Sequence, residues 1–192
     1  MVPRRARGWQ TGYVPRHTTP MSQGPCLLCA AHFAADGHQL LGAALLTQKK
    51  LGLRPSEVLG VQWEDVTLPE EVYQATGSNA LMTGLDVRHG TKAKRAQSVL
   101  LRDDPELEAL IRWARSVSRP GERLFPYSYE QMRRMIATIS KRLGLEDIKW
   151  TPHSPRAGFA SDLTALGVEF AVIQHIGRWL SATPLRGAIC RN

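Results

Sequence analysis

Apolar residues recur at helical spacing along most of this chain. From Gly37 to Leu51, Leu40, Leu41, Ala44 and Leu45 fall on one face, which predicts a helix. Pro55 suits the first turn of the next helix, with Ser56 and Glu57 in the same turn, and Leu59, Val61 and Trp63 read as core. Between Asp103 and Ser118, Leu107, Leu110, Ile111 and Ala114 repeat on one face, with acids in the first turns as the helix dipole favours. Pro120-Gly121 closes that segment. From Ser128 to Leu143, Met132, Met135, Ile136, Ile139 and Leu143 share a face, while Arg133, Arg134, Lys141 and Arg142 lie elsewhere. Thr151 or Ser154 can cap a further helix that Gly167 ends. Val168 to Trp179 reads as a short helix with Val172, Ile173 and Ile176 inward.

Between these helices the period changes. Leu81 to Val87 and Ser98 to Leu101 have strand-like composition, and the polar, basic stretch His89 to Gln97 suits an exposed hairpin turn. The pattern as a whole predicts a mainly α fold with a small antiparallel β-sheet, an α+β domain. Upstream, the chain is rich in Pro, Gly, Arg and Thr and has no carboxylate before Asp36. Residues 1–36 are therefore expected to form a basic, flexible arm ahead of a domain spanning 37–192.

Composition narrows the partners. The chain has 192 residues, 43% of them hydrophobic, enough for one domain with a core. Its net charge of +8 and pI near 9.9 favour an anionic partner, nucleic acid ahead of a membrane surface. No apolar run approaches the roughly 18 residues that span a bilayer, and no apolar core follows Arg4, Arg5 and Arg7, so no secretory signal is expected. With three cysteines, a disulfide framework is not suggested, and an intracellular, reducing compartment fits better. Cys26, Cys29, His32 and His38 have a ligand-like spacing. On a helix the first three drift around the axis and do not converge on a tetrahedron, so Cys26 to Ala35 reads as an apolar helix face and no metal is expected.

The chemistry gathers late in the chain. His153 and Arg156 stand three residues apart, and Gly177-Arg178-Trp179 follows. Residues at i and i+3 share a helix face. An arginine fork matches a phosphate, and a histidine moves protons near neutral pH. A helix N-terminus with a solvated arginine would look the same. Upstream, Arg54-Pro-Ser-Glu57 and a basic turn with Lys92 complete an ordered set: arginine, lysine, His-x-x-Arg, tryptophan.

In that order and spacing the chain resembles, from about Gln39 to Trp179, the catalytic domain of the phage integrase, or tyrosine recombinase, family. The resemblance implies the catalytic-core fold of DNA breaking–rejoining enzymes. It implies double-stranded DNA as partner, a homo-oligomer on that DNA, no membrane, and no metal or other cofactor. It assigns Arg54 and Arg156 to the phosphate's charge, Lys92 to protonation of the leaving oxygen, and His153 to acid–base work. Trp179 would support the phosphate, and Glu57 would organise the site. Without the resemblance, Lys92 reads as part of a solvated turn.

One residue departs from the pattern. The nucleophilic tyrosine is expected at Gly187 or Ala188, and the tyrosines present are Tyr13, Tyr73, Tyr127 and Tyr129. The family's C-terminal segment is expected to be short here. Two readings follow: a recombination or integration protein of this family that lacks its nucleophile, or a catalytically inactive DNA-binding domain derived from such a recombinase.

Overall fold

A computed structural model of the chain describes residues 18–77, 83–88, 97–101 and 104–179. Its first helix, α1 (Gln23–Ala35), turns Cys26, Cys29, Ala30 and Phe33 into the core, the i, i+3, i+4, i+7 set of an amphipathic helix. Burial pushes the Cys26 thiol up to about 12 and Cys29 up to about 11, so both are inert packing residues. Met21 just ahead is fully buried, and its N–H donates to the Ser154 carbonyl at 3.0 Å. The expected boundary at residue 36 is thus corrected: residues 20–35 belong to the domain. Composition hid this because the basic, Pro- and Gly-rich residues ahead of α1 mask an apolar helix face that packs mainly on the next helix. Residues 1–17 of the expected arm lie outside the described residues.

The second helix, α2 (Gln39–Leu51), runs through the centre. Leu41, Ala44 and Leu45 are buried as the spacing predicts, but so are Thr47, Gln48 and Lys49. Helices pack on several sides of α2, so these three polar residues do not reach water. A Cβ at Gly42 would stand 2.8 Å from the Ala30 carbonyl oxygen, which is how closely α1 approaches. Lys49 is 3% exposed and binds Asp162 at 2.6 Å. Gly52 ends α2 in the left-handed region at φ +58°, where a Cβ is strained.

A short helix follows, α3 (Pro55–Val58), and then a three-stranded antiparallel sheet of β1 (Val66–Thr67), β2 (Gly84–Val87) and β3 (Gln97–Leu100), in that spatial order. Leu85 pairs with Val66 on one side and Val99 on the other, and Leu85 and Val87 face the core. Between β1 and β2 lies α4 (Pro69–Thr76). The strands begin and end within a few residues of the predicted ones. The turn carrying Lys92 lies outside the described residues.

The two amphipathic helices appear as α5 (Pro105–Ser116) and α6 (Tyr129–Arg142). Asp104 caps α5 by accepting the Leu107 N–H at 3.0 Å, and Ser128 and Gln131 form a reciprocal cap on α6. Then α7 (Ser154–Ala165) packs on α2, and α8 (Phe170–Ile176) packs on α7. Gly167, at φ +76°, closes α7. Ile173 is buried in the small cluster between α7 and α8, but Val172 and Ile176 are 43% and 47% exposed. The expected inward face of α8 is therefore narrower than its sequence implies, because α7 covers a single side. Among the described residues no helix is long and apolar enough to cross a membrane.

Candidate DNA-phosphate site

The site forms where three chain segments meet. After Gly52 reverses the chain, Arg54 takes the N-cap position of α3 in extended backbone and Pro55 opens the helix. Glu57, one turn in, accepts the Arg54 N–H at 2.7 Å and its Nη1 at 2.5 Å. The carboxylate is fully buried. Burial works to raise its pKa. The Arg54 N–H bond and the charges of Arg178 and Arg54 outweigh that and hold it below the ordinary value.

The second segment is the start of α7. The Ser154 hydroxyl accepts the Thr151 N–H at 2.9 Å, and the Thr151 hydroxyl accepts the His153 N–H at 3.3 Å. This turn leaves His153 at the N-cap, just outside the helix. From the buried side, Gln48 of α2 donates its amide to the Pro152 carbonyl at 2.8 Å. His153 is exposed, but enough of its ring lies against the protein that desolvation, followed by the charges of Arg156 and Arg54, pushes its pKa down. Tyr129, at the start of α6, faces it with ring centroids 6.1 Å apart.

Arg156, in the first turn of α7, is 5% exposed. Its Nη1 donates to the Gly52 carbonyl and its Nη2 to the Gly177 carbonyl at 2.5 Å. Burial and the Arg54 charge push its pKa down to about 9, still cationic at neutral pH.

The third segment is the turn after α8. Trp179 lays its ring over the Arg156 guanidinium, 4.1 Å from carbon to centroid, a cation–π contact. Arg178 accepts Arg54 Nη2 on its carbonyl at 3.1 Å and donates its own Nη2 to Glu57 at 3.0 Å. A Cβ on Gly177 would overlap the Trp179 ring at 1.5 Å, so a side chain there requires that ring to leave its place over Arg156.

Arg54, Glu57, Arg156 and Trp179 thus share direct contacts, and His153 lies within electrostatic reach of both arginines. Lys92, Gly187 and Ala188 fall outside the described residues. Two participants were not anticipated. Gln48 sits on a helix whose apolar spacing gives no hint of a buried amide. Arg178 is visible in the Gly-Arg-Trp motif, but nothing local says that it turns inward. Arg54, Arg156 and Arg178 outnumber Glu57, so the cluster carries surplus positive charge at low dielectric, the electrostatics of an anion site.

Comparison with known proteins agrees with this reading of the fold. The model of the phage integrase family matches residues 32–184. No functionally curated protein matches in sequence. Among solved structures, XerA recombinase superposes with a TM-score of 0.65 at 16% identity, over 100% of this chain and 62% of its own. XerH site-specific recombinase bound to its difH substrate, in a pre-cleavage complex, superposes with a TM-score of 0.63 at 17% identity, over 90% of this chain and 50% of its own. Its post-cleavage complex with a palindromic difH substrate gives 0.64 at 15%, over 93% and 51%. This chain spans about half to three-fifths of the length of those structures, and at such identities the likeness is one of fold. The family match covers most of the chain, the mainly helical architecture with its small antiparallel sheet is the one these recombinases share, and the chain belongs to the phage integrase family of tyrosine recombinases.

Proposed function

We propose that this chain binds duplex DNA in recombination or integration and grips a backbone phosphate with Arg54 and Arg156. In this reading His153 and Trp179 flank the phosphate, Glu57 organises the arginines, and Lys92 reaches it from the β2–β3 connection. One observation carries the reading. Two arginines a hundred residues apart in sequence are fixed side by side, with surplus charge and a histidine at the rim. The overall basic charge supports it, as does the DNA substrate present in the XerH complexes.

The chemistry of such a site is charge stabilisation. Negative charge grows on the nonbridging oxygens as a phosphodiester is attacked, and donors already in place lower that barrier. Arg156 is held in place by its two carbonyl partners and the Trp179 ring. His153, neutral at pH 7 with a depressed pKa, is a proton acceptor when free and gains a proton more readily once an anion sits beside it.

The sequence has no tyrosine at Gly187 or Ala188. In our reading the chain alone binds DNA without forming a phosphotyrosyl bond, and strand breaking needs a tyrosine from another chain. The test uses a nicked suicide duplex. Incubation with the purified chain is expected to give a salt-sensitive complex and no covalent protein–DNA band. A covalent band from this chain alone would overturn the inactive reading. Undiminished binding by Arg54→Ala and Arg156→Ala would overturn the phosphate site.

A further inference from the structure

Glu57 poses a problem for an anion site. It is a buried carboxylate next to the cations that should meet DNA. Its Oε2 stands 4.0 Å from Arg156 Nη1, and charges at that range attract strongly when buried. Were the two to pair, Arg156 would be neutralised. Yet the hydrogen bonds of Arg156 go to uncharged carbonyl oxygens of Gly52 and Gly177, and Glu57 offsets its charge only from the longer distance.

Arg178 accounts for this. Its Nη2 adds a charged partner to Glu57 Oε2 at 3.0 Å, beside the Arg54 N–H on the same oxygen at 2.7 Å and Arg54 Nη1 on Oε1. Its backbone stands in the left-handed region at φ +57°, uncommon for a residue with a Cβ. Its side chain is 11% exposed and its Nε is buried without a hydrogen-bond partner. A long cation that served solubility would stay in water. This one is turned inward onto a carboxylate.

We propose that Arg178 is a positioning residue for the DNA-phosphate site: by holding Glu57 in a pair shared with Arg54, it keeps that carboxylate from neutralising Arg156. The inference rests on the phosphate-site reading above and adds a residue that acts through Glu57, not on the DNA.

The experiment measures binding of the full chain to a fluorescein-labelled duplex by anisotropy across a salt series. Arg156→Ala tests the site itself and is expected to lose affinity. Arg178→Gln removes one of the cations that offset the Glu57 charge, leaves more of that charge to act on Arg156 4.0 Å away, and is expected to weaken binding about tenfold and to lower the salt slope by about one. R178K keeps the charge and loses less than R178Q. The deciding variant is R178Q with E57Q. With the carboxylate gone, nothing neutralises Arg156, and affinity returns to within about threefold of the parent chain. A merely structural role predicts the opposite, since the second change removes another contact. Failure of E57Q to rescue R178Q overturns the proposal. So does R178Q binding like the parent while R156A does not, an outcome that leaves the phosphate site standing. R156A binding like the parent removes the site and the inference together. If R178Q alone does not fold, the double variant, which removes one charge of each sign and so keeps the net charge of the cluster, decides: parent-like affinity supports the proposal and weak binding overturns it.

Discussion

Arg156 shows how a cation can be fixed without being neutralised. Two carbonyl oxygens and an aromatic face hold its guanidinium, none with a formal charge. Replacing Arg54 or Arg156 by alanine is therefore expected to weaken duplex binding far more than replacing Arg4 or Arg5, by about 2–4 kcal/mol for a buried, charge-bonded arginine, read as dissociation constants at fixed salt. Gly177→Ala tests the turn that supplies one of those oxygens. The added methyl meets the Trp179 ring, and overpacking of this kind costs about 1–3 kcal/mol, so both melting temperature and DNA affinity should fall. At this scale the sequence was legible where a residue's own type declares its chemistry. Arg54, Glu57, His153, Arg156 and Trp179 form a recognisable ordered set. Arg178 and Gln48 were not legible, because a side chain that turns inward does so for partners more than a hundred residues away in sequence.

Among the elements, α2 has the most to hold. Along its last turns Gln48 supports the turn before His153, Lys49 binds Asp162 of α7, and Gly52 receives Arg156. The helix end and α7 act as one block that sets the spacing of the site. Asp162→Asn leaves Lys49 buried without its counter-ion. Breaking one side of such a pair costs about 3 kcal/mol, and a urea titration followed by circular dichroism should show it as a lower midpoint with an unchanged slope. Helices α5 and α6 were readable because one face of each meets the core and the other meets water, so the period survives in the sequence. Helix α2 was readable as a helix, but not as a buried one, since its polar residues are satisfied by tertiary bonds that no local window contains. For α8 the opposite error occurs: Val172 and Ile176 look like core residues and are open to solvent.

For the molecule as a whole, charge sets the response to solvent. Affinity for DNA should fall steeply with salt as bound cations release counterions from the backbone. It should also depend on pH. Free His153 has a depressed pKa, and a phosphate beside it raises that pKa, so binding takes up a proton and tightens as pH falls from 7.5 toward 6. His153→Gln should flatten the part of this slope that belongs to the site. Stability of the free protein runs the other way. The depressed His153 pKa costs stability once pH drops below the ordinary value of 6.5. The contribution of Glu57, full above its ordinary 4.5, is lost as pH falls through its lower folded value. Thermal melts at several pH values, with and without duplex, would separate the two trends. The domain edge was the least legible feature at this scale. Basic, proline-rich composition pointed to an arm, yet Met21 and α1 are built into the core. The fastening of Arg156 to the Gly52 and Gly177 carbonyls has a genetic corollary. Codon changes alter side chains and leave carbonyl oxygens in place, so these two anchors cannot be deleted by substitution, only displaced. At both positions a methyl group would collide, with Phe159 at 2.6 Å or with Trp179 at 1.5 Å. A mutagenised library selected for retained DNA binding should therefore return glycine at 52 and 177 almost without exception, marking two residues that have no side chain among the least replaceable in the gene.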